Sequence, residues 1–115
     1  MLGIALNESA GRAAYLAGFH AAQTLISEST GRSLKSHGGV NSQFHRLVRG
    51  DPRVDDDLRG FLGLAYNLKA IADYETGPDA EVSPEIATDA VVKARRFVAK
   101  MAELIEGMEQ RDVSD

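Results

Sequence analysis

The side chains in this sequence best equipped to act on a phosphate or a base are three histidines, a handful of cations and three tyrosines. His20, His37 and His45 all fall in the first fifty residues, with Arg12, Arg32, Lys35, Arg46 and Arg49. Metal-free cleavage of RNA needs a base for the 2′-hydroxyl, an acid for the leaving oxygen and cations for the phosphate. His20 and His37 are the candidate catalytic pair, and Arg12 and Lys35 are candidates for the phosphate. On a helix Arg12 is nearly in line with Phe19, and His20 sits about 80° from Arg12, so Arg12, Tyr15 and His20 flank one groove. A tyrosine ring can stack on a base.

Each of these residues also has a structural alternative. His20 can bond to a neighbouring helix, and His37 can cap the helix that follows it. Lys69 and Asp73, at i and i+4, can form a surface ion pair worth a few tenths of a kcal/mol. Tyr15, Tyr66 and Tyr74 can be core or interface residues with a hydroxyl tip. Other chemistries find no support. The chain has no cysteine, which excludes disulfides, thiolate zinc sites and thiol nucleophiles. It has no phosphate-cradling glycine loop, no His-Glu-x-x-His and no Gly-x-Ser-x-Gly elbow. His37 and His45 are too loosely spaced to read as a zinc pair, so no metal and no cofactor are expected.

The elements that must position these groups are helical. Asn7, Glu8 and Ser9 offer capping side chains, and Tyr15, Leu16, Phe19, Ala22, Gln23 and Ile26 recur at spacings of three and four. That periodicity predicts a helix from about Ser9 to Thr30, stopped by Gly31. Leu2, Ile4 and Leu6 read as the end of a further, truncated amphipathic helix, whose exposed surface would favour self-association. Residues 32–39 read as a loop, followed by a short helix from about Val40 to Arg49 with Phe44, Leu47 and Val48 on its apolar side. Gly50-Asp51-Pro52 breaks it. Asp55, Asp56 and Asp57 open a third helix, their charges complementing its dipole. Its stripe is Leu58, Phe61, Leu62, Ala65, Leu68 and Ala72, and it should end near Glu75. Ser83-Pro84 starts a fourth, apolar along Ile86, Ala90, Ala94, Phe97, Val98, Met101, Ile105 and Met108, with a polar tail after Glu109.

No segment alternates with period two, so the fold class is all-α. The expected architecture is an antiparallel up-down bundle of four helices, one of them short. The 115 residues make a single domain, with an ordered core at about 9–108. No apolar run reaches the ~20 residues of a membrane span, and a cytoplasmic location is compatible with the lack of cysteine. The net charge is −4, but it is unevenly spread. Residues 1–50 carry five basic and two acidic side chains, while residues 51–115 carry eight and fifteen. A polyanion would prefer the first half.

Three segments in order resemble the HEPN family, in its small stand-alone prokaryotic branch. The first is Arg12-Ala13-Ala14-Tyr15-Leu16-Ala17-Gly18-Phe19-His20-Ala21-Ala22. The second is Lys35-Ser36-His37-Gly38-Gly39-Val40, followed by Phe44. The third is Ala65-Tyr66-Asn67-Leu68-Lys69-Ala70-Ile71-Ala72-Asp73-Tyr74. The resemblance implies a bundle of four or five helices, often dimeric, paired with a small nucleotidyltransferase in a toxin–antitoxin module. It implies binding of RNA or a nucleotide and, in active members, metal-independent ribonuclease activity from an arginine and a histidine a few residues apart. Where related members carry that pair, this chain has Lys69 and Asp73, followed by Tyr74, which the resemblance makes candidates for binding phosphate or a nucleotide. Lysine keeps the charge without the two-pronged guanidinium, and aspartate does not replace imidazole near neutral pH. Two functions follow as expectations. One is an RNA- or nucleotide-binding component with ribonuclease chemistry; the other is a non-catalytic helical module for homodimerisation or for a nucleotidyltransferase partner.

Overall fold

The computed structural model describes the backbone of residues 2–73 and 83–114, and side chains within 6–71 and 83–109. The described residues form four helices: α1 (Leu2–Thr30), α2 (His37–Val48), α3 (Asp56–Asp73) and α4 (Pro84–Ser114). There is no strand among the described residues. The all-α bundle expected from the apolar periodicities is therefore what forms.

The starts of α2, α3 and α4 each have a side chain serving them. Ser36 Oγ accepts the Gly39 N–H at 3.0 Å, Asp55 Oδ1 accepts the Leu58 N–H at 2.9 Å, and Ser83 Oγ accepts the Ile86 N–H at 3.2 Å. These bonds satisfy donors that a helix leaves orphaned in its first turn. Gly31 closes α1 at φ 73°, its N–H bonded to the Ser27 carbonyl at 2.8 Å. Asp51 organises the turn between α2 and α3. Its carboxylate accepts both the side chain and the backbone N–H of Arg53, which pull its pKa down to about 2.

Two expected boundaries are corrected. The first helix begins at Leu2 rather than near Ser9, and Leu2, Ile4 and Leu6 belong to it rather than to a separate helix. Asn7, Glu8 and Ser9 can cap a helix, but no glycine or proline there forces a break, so the helix runs through them. The short helix begins at His37, not Val40. Gly38 and Gly39 sit in its first turn, where the Ser36 cap offsets their poor propensity. A Cβ at Gly39 would crowd the Ser36 hydroxyl.

The long helices alternate in direction. Gly11 meets Leu68 and Gly18 meets Phe61, so α3 runs antiparallel to α1. Residues 10–17 line a groove with 91–99, and Ser29 Oγ donates to Met108 Sδ at 3.3 Å, so α4 points the same way as α1. The short α2 packs on α1 and α3. The core is built on Phe44, Phe61 and Phe97, all buried, with ring centroids 5.3 Å apart for Phe44–Phe97 and 4.9 Å for Phe61–Phe97. Ile26, Leu62, Val40 and Met101 fill in around them.

Gly18 is the closest approach of α1 and α3: a Cβ there would overlap the Phe61 ring. That ring is held by Phe97 and cannot swing away freely. Gly18→Ala should therefore lose roughly 1–3 kcal/mol to overpacking, despite alanine's better helix propensity. Gly60→Ala, on the open side of α3 with nothing within 4 Å of its Cβ position, should instead gain about 0.5–1 kcal/mol. Urea unfolding of both variants checks the pair; a neutral or stabilising Gly18→Ala would show that α1 and α3 are not in contact there.

Candidate functional site

Antiparallel packing of α1 on α3 sets Tyr15 beside Tyr66, their rings edge to face with centroids 5.8 Å apart. The chain leaving α1 then turns back along it. The Gln23 side chain donates to the Leu34 carbonyl at 2.8 Å, and His37 arrives at Tyr15, about 22 Å down the helix from Thr30 at 1.5 Å per residue. Six residues of extended chain cover close to that distance. The His37 ring stacks on Tyr66 with centroids 4.0 Å apart and planes 18° off parallel, and Nδ1 lies 3.2 Å from the Tyr15 hydroxyl. Phe19, one turn along α1, stacks behind Tyr15 at 5.5 Å.

The electrostatics follow from burial. Tyr15 is buried, and its pKa is raised by desolvation, with Lys69 pulling it down and Tyr66 pushing it up. It remains a phenol at neutral pH. Desolvation lowers the pKa of His37, so its ring is neutral near pH 7. Two tautomers suit the Tyr15 contact. If the tyrosine O–H donates to Nδ1, the proton sits on Nε2, which becomes an outward donor. If Nδ1–H donates to the tyrosine oxygen, Nε2 is a bare base. Nε2 has no partner among the described residues. Tyr66 is 43% exposed, so a ligand can reach this stack from solvent.

The expected site residues thus divide. Tyr15, His37 and Lys69 come together, and Arg12, half-buried, lies one turn before Tyr15 on α1. Lys35 is exposed in the returning segment, two residues before His37. His20 does not join them. It lies about 140° around α1 from Tyr15, is exposed, and its Nδ1 is 2.8 Å from the Gln23 amide oxygen. It lines a separate shallow pocket with Thr24, Ser27, Glu28 and Ser33. The helix backbone includes Asp73, but its side chain, and all of Tyr74, lie outside the described residues. The residue missing from the sequence-based set is Tyr66. Its signal was there: it sits on the flank of the Leu58–Leu62–Ala65 stripe, three residues before Lys69, where a core aromatic has no place.

This arrangement can hold a planar group against Tyr66 and His37 and set an anionic one near Lys69 and Arg12. It offers one imidazole, not two. Among the described residues no group of histidine and carboxylate side chains has metal-binding geometry.

Because the His37 pKa is depressed in the fold, the neutral ring is favoured there. That contribution to stability is present above the unfolded value of 6.5 and is lost as pH falls below it. Nuclear magnetic resonance of the imidazole should give a midpoint below 6.5, and Tyr15→Phe should cost about 0.5–1.5 kcal/mol by removing the hydroxyl partner. A midpoint at or above the ordinary value would contradict the desolvated stack. Comparison of the chain with protein-family models, with curated proteins and with solved structures finds no match, so the chemistry of the site is read from its own residues.

Proposed function

We propose that this chain is a HEPN-like component of a cytoplasmic toxin–antitoxin pair that binds RNA or a nucleotide at the Tyr15–His37–Tyr66 cluster. The observation that carries this reading is the stacked His37–Tyr66 pair, open to solvent and flanked by Lys69. Base–aromatic stacking contributes about 1–3 kcal/mol per base and tolerates any sequence. The chain's net charge of −4 disfavours diffuse attraction of a polyanion, so affinity must come from local contacts of this kind. Ribonuclease chemistry, where present, rests on His37 as general base, with Lys69 and Arg12 toward the phosphate. His20 is too far around α1 to act as its acid.

A short single-stranded RNA carrying a fluorophore should bind at low salt, and Tyr66→Ala and His37→Ala should each weaken binding about tenfold or more. His20→Ala should leave it unchanged. Cleavage in chelator, if any, should vanish in His37→Ala. Equal affinities for wild type and Tyr66→Ala, or wild-type cleavage by His37→Ala, would defeat this reading.

A second reading, a non-catalytic module that forms a homodimer or engages a small nucleotidyltransferase, is favoured by a different observation. Leu6, Leu16 and Val92 are 66%, 47% and 58% exposed, beside an apolar groove between α1 and α4. No helix among the described residues is long and apolar enough to cross a membrane, so this surface does not belong to a spanning helix.

A further inference from the structure

The last helix has two faces with different chemistry. Ala90, Ala94, Phe97, Met101 and Leu104 face the core. Thr88, Val92, Arg95, Ala99, Ala102 and Glu106 are all exposed and follow one another at alternating steps of four and three. That step is the heptad rhythm by which one helix meets another. A face turned permanently to water would carry charge along its length. This one has alanine at its centre and one cation and one anion toward its ends. Neither Arg95 nor Glu106 has a partner among the described residues.

The positions of those charges select the occupant. Arg95 and Glu106 are equally far from the midpoint between Lys100 and Met101, and so are Ala99 and Ala102. A two-fold axis through that midpoint, perpendicular to the helix, exchanges Arg95 with Glu106 and Ala99 with Ala102. We propose that this stripe of α4 docks antiparallel onto the same stripe of a second copy of the chain, Arg95 of each copy against Glu106 of the other, with Ala99 and Ala102 at the centre. A parallel arrangement would set Arg95 against Arg95 and Glu106 against Glu106, and like charges across an interface cost affinity. The alanines let the helix axes approach to about 8 Å. From Thr88 to Glu106 the stripe is about 27 Å long.

The contact widens toward α1. Beside Arg95 and Ala99 a groove of about 480 Å³ runs between α4 and α1, floored by Ala10, Ala13, Ala14 and Ala17 and walled by Val91 and Val98. In the antiparallel arrangement the second half of the partner's helix lies along this groove. Ala102 of that half meets Ala99 and Glu106 meets Arg95, both lining residues of the groove, so the contact continues from the stripe onto it. The outer side of α1 agrees with this. It is apolar at Leu6, Ala13, Leu16 and Ala17, next to the groove, and turns polar at His20, Thr24 and Ser27 beyond it.

The inference depends on the second functional reading only for self-association, and the test separates the two. Sedimentation of the full chain at tens of micromolar should show a dimer. Arg95→Glu and Glu106→Arg should each weaken it about tenfold or more, and the double exchange should restore it. The chain has no cysteine, so cross-linking reports register cleanly. A mixture of Ala99→Cys and Ala102→Cys chains should oxidise to a mixed dimer faster than either variant alone. A monomeric wild type overturns both the inference and the self-association reading. A dimer that ignores the charge exchanges, or that cross-links equally well through Ala99→Cys alone, overturns this surface and leaves self-association standing.

Discussion

A missing side chain sets the geometry of this bundle. At Gly18 the α1 backbone is bare, and the Phe61 ring of α3 occupies the space a Cβ would fill. Phe61 touches Phe97 of α4, and Phe97 touches Phe44 of α2. One aromatic chain thus ties the three later helices together, and at Gly18 it sets how closely they approach the first. Aromatic side chains bury more area than any others, and edge or offset contacts between them add to it. Shifting Gly18 along α1 would shift every helix behind it.

The site is a consequence of that register. With Gly18 against Phe61 and Gly11 against Leu68, the antiparallel α3 places Tyr66 level with Tyr15. With Phe44 fixed in the core, the start of α2 seven residues earlier, two helical turns away, falls over the same pair. His37 is therefore delivered onto two tyrosines by packing in which Tyr15 takes part as a buried core residue and His37 and Tyr66 do not. Its neutral state follows from that setting: the stack removes water from one side of the ring, and the nearest hydroxyl belongs to a phenol that burial keeps protonated.

Most of the helices were legible because the apolar residues that define them do one job. Leu58, Phe61, Leu62, Ala65 and Leu68 are buried as their spacing implied, and Ser83-Pro84 and Gly31 start and stop helices for local reasons. The start of α1 was not legible, because residues 7–9 can cap a helix or lie within one, and only the absence of a breaker decides. The start of α2 was obscured by Gly38 and Gly39, whose weak propensity counts for little in a first turn that Ser36 caps. For the site, the sequence put Arg12, Tyr15 and His20 on one groove and paired His20 with His37, whereas the structure sets Tyr15 against His37 and leaves His20 apart. A helical wheel alone gave it a groove shared with Arg12; the packed structure gives it Gln23. Tyr66 was weighed as a core or interface residue or as one of three rings able to stack on a base. Its role depends on which ring lands on it, and a long return segment between helices brings that ring.

From Gly11 to Phe19 α1 carries one charge, Arg12, and is otherwise apolar around its circumference, as suits a helix covered on both sides. Its inner side is covered by α3 and α2 and supplies Gly11, Tyr15, Gly18 and Phe19. Its outer side, with Leu6, Ala13, Leu16 and Ala17, has only α4 along one edge. Consecutive residues serve the two sides: Ala14 lines the groove next to α4, and Tyr15 bonds His37. The same turn of helix is thus a wall of the groove and a wall of the site. A rigid helix cannot move one of these walls without the other, so whatever settles against the outer face also fixes where the Tyr15 hydroxyl meets the imidazole.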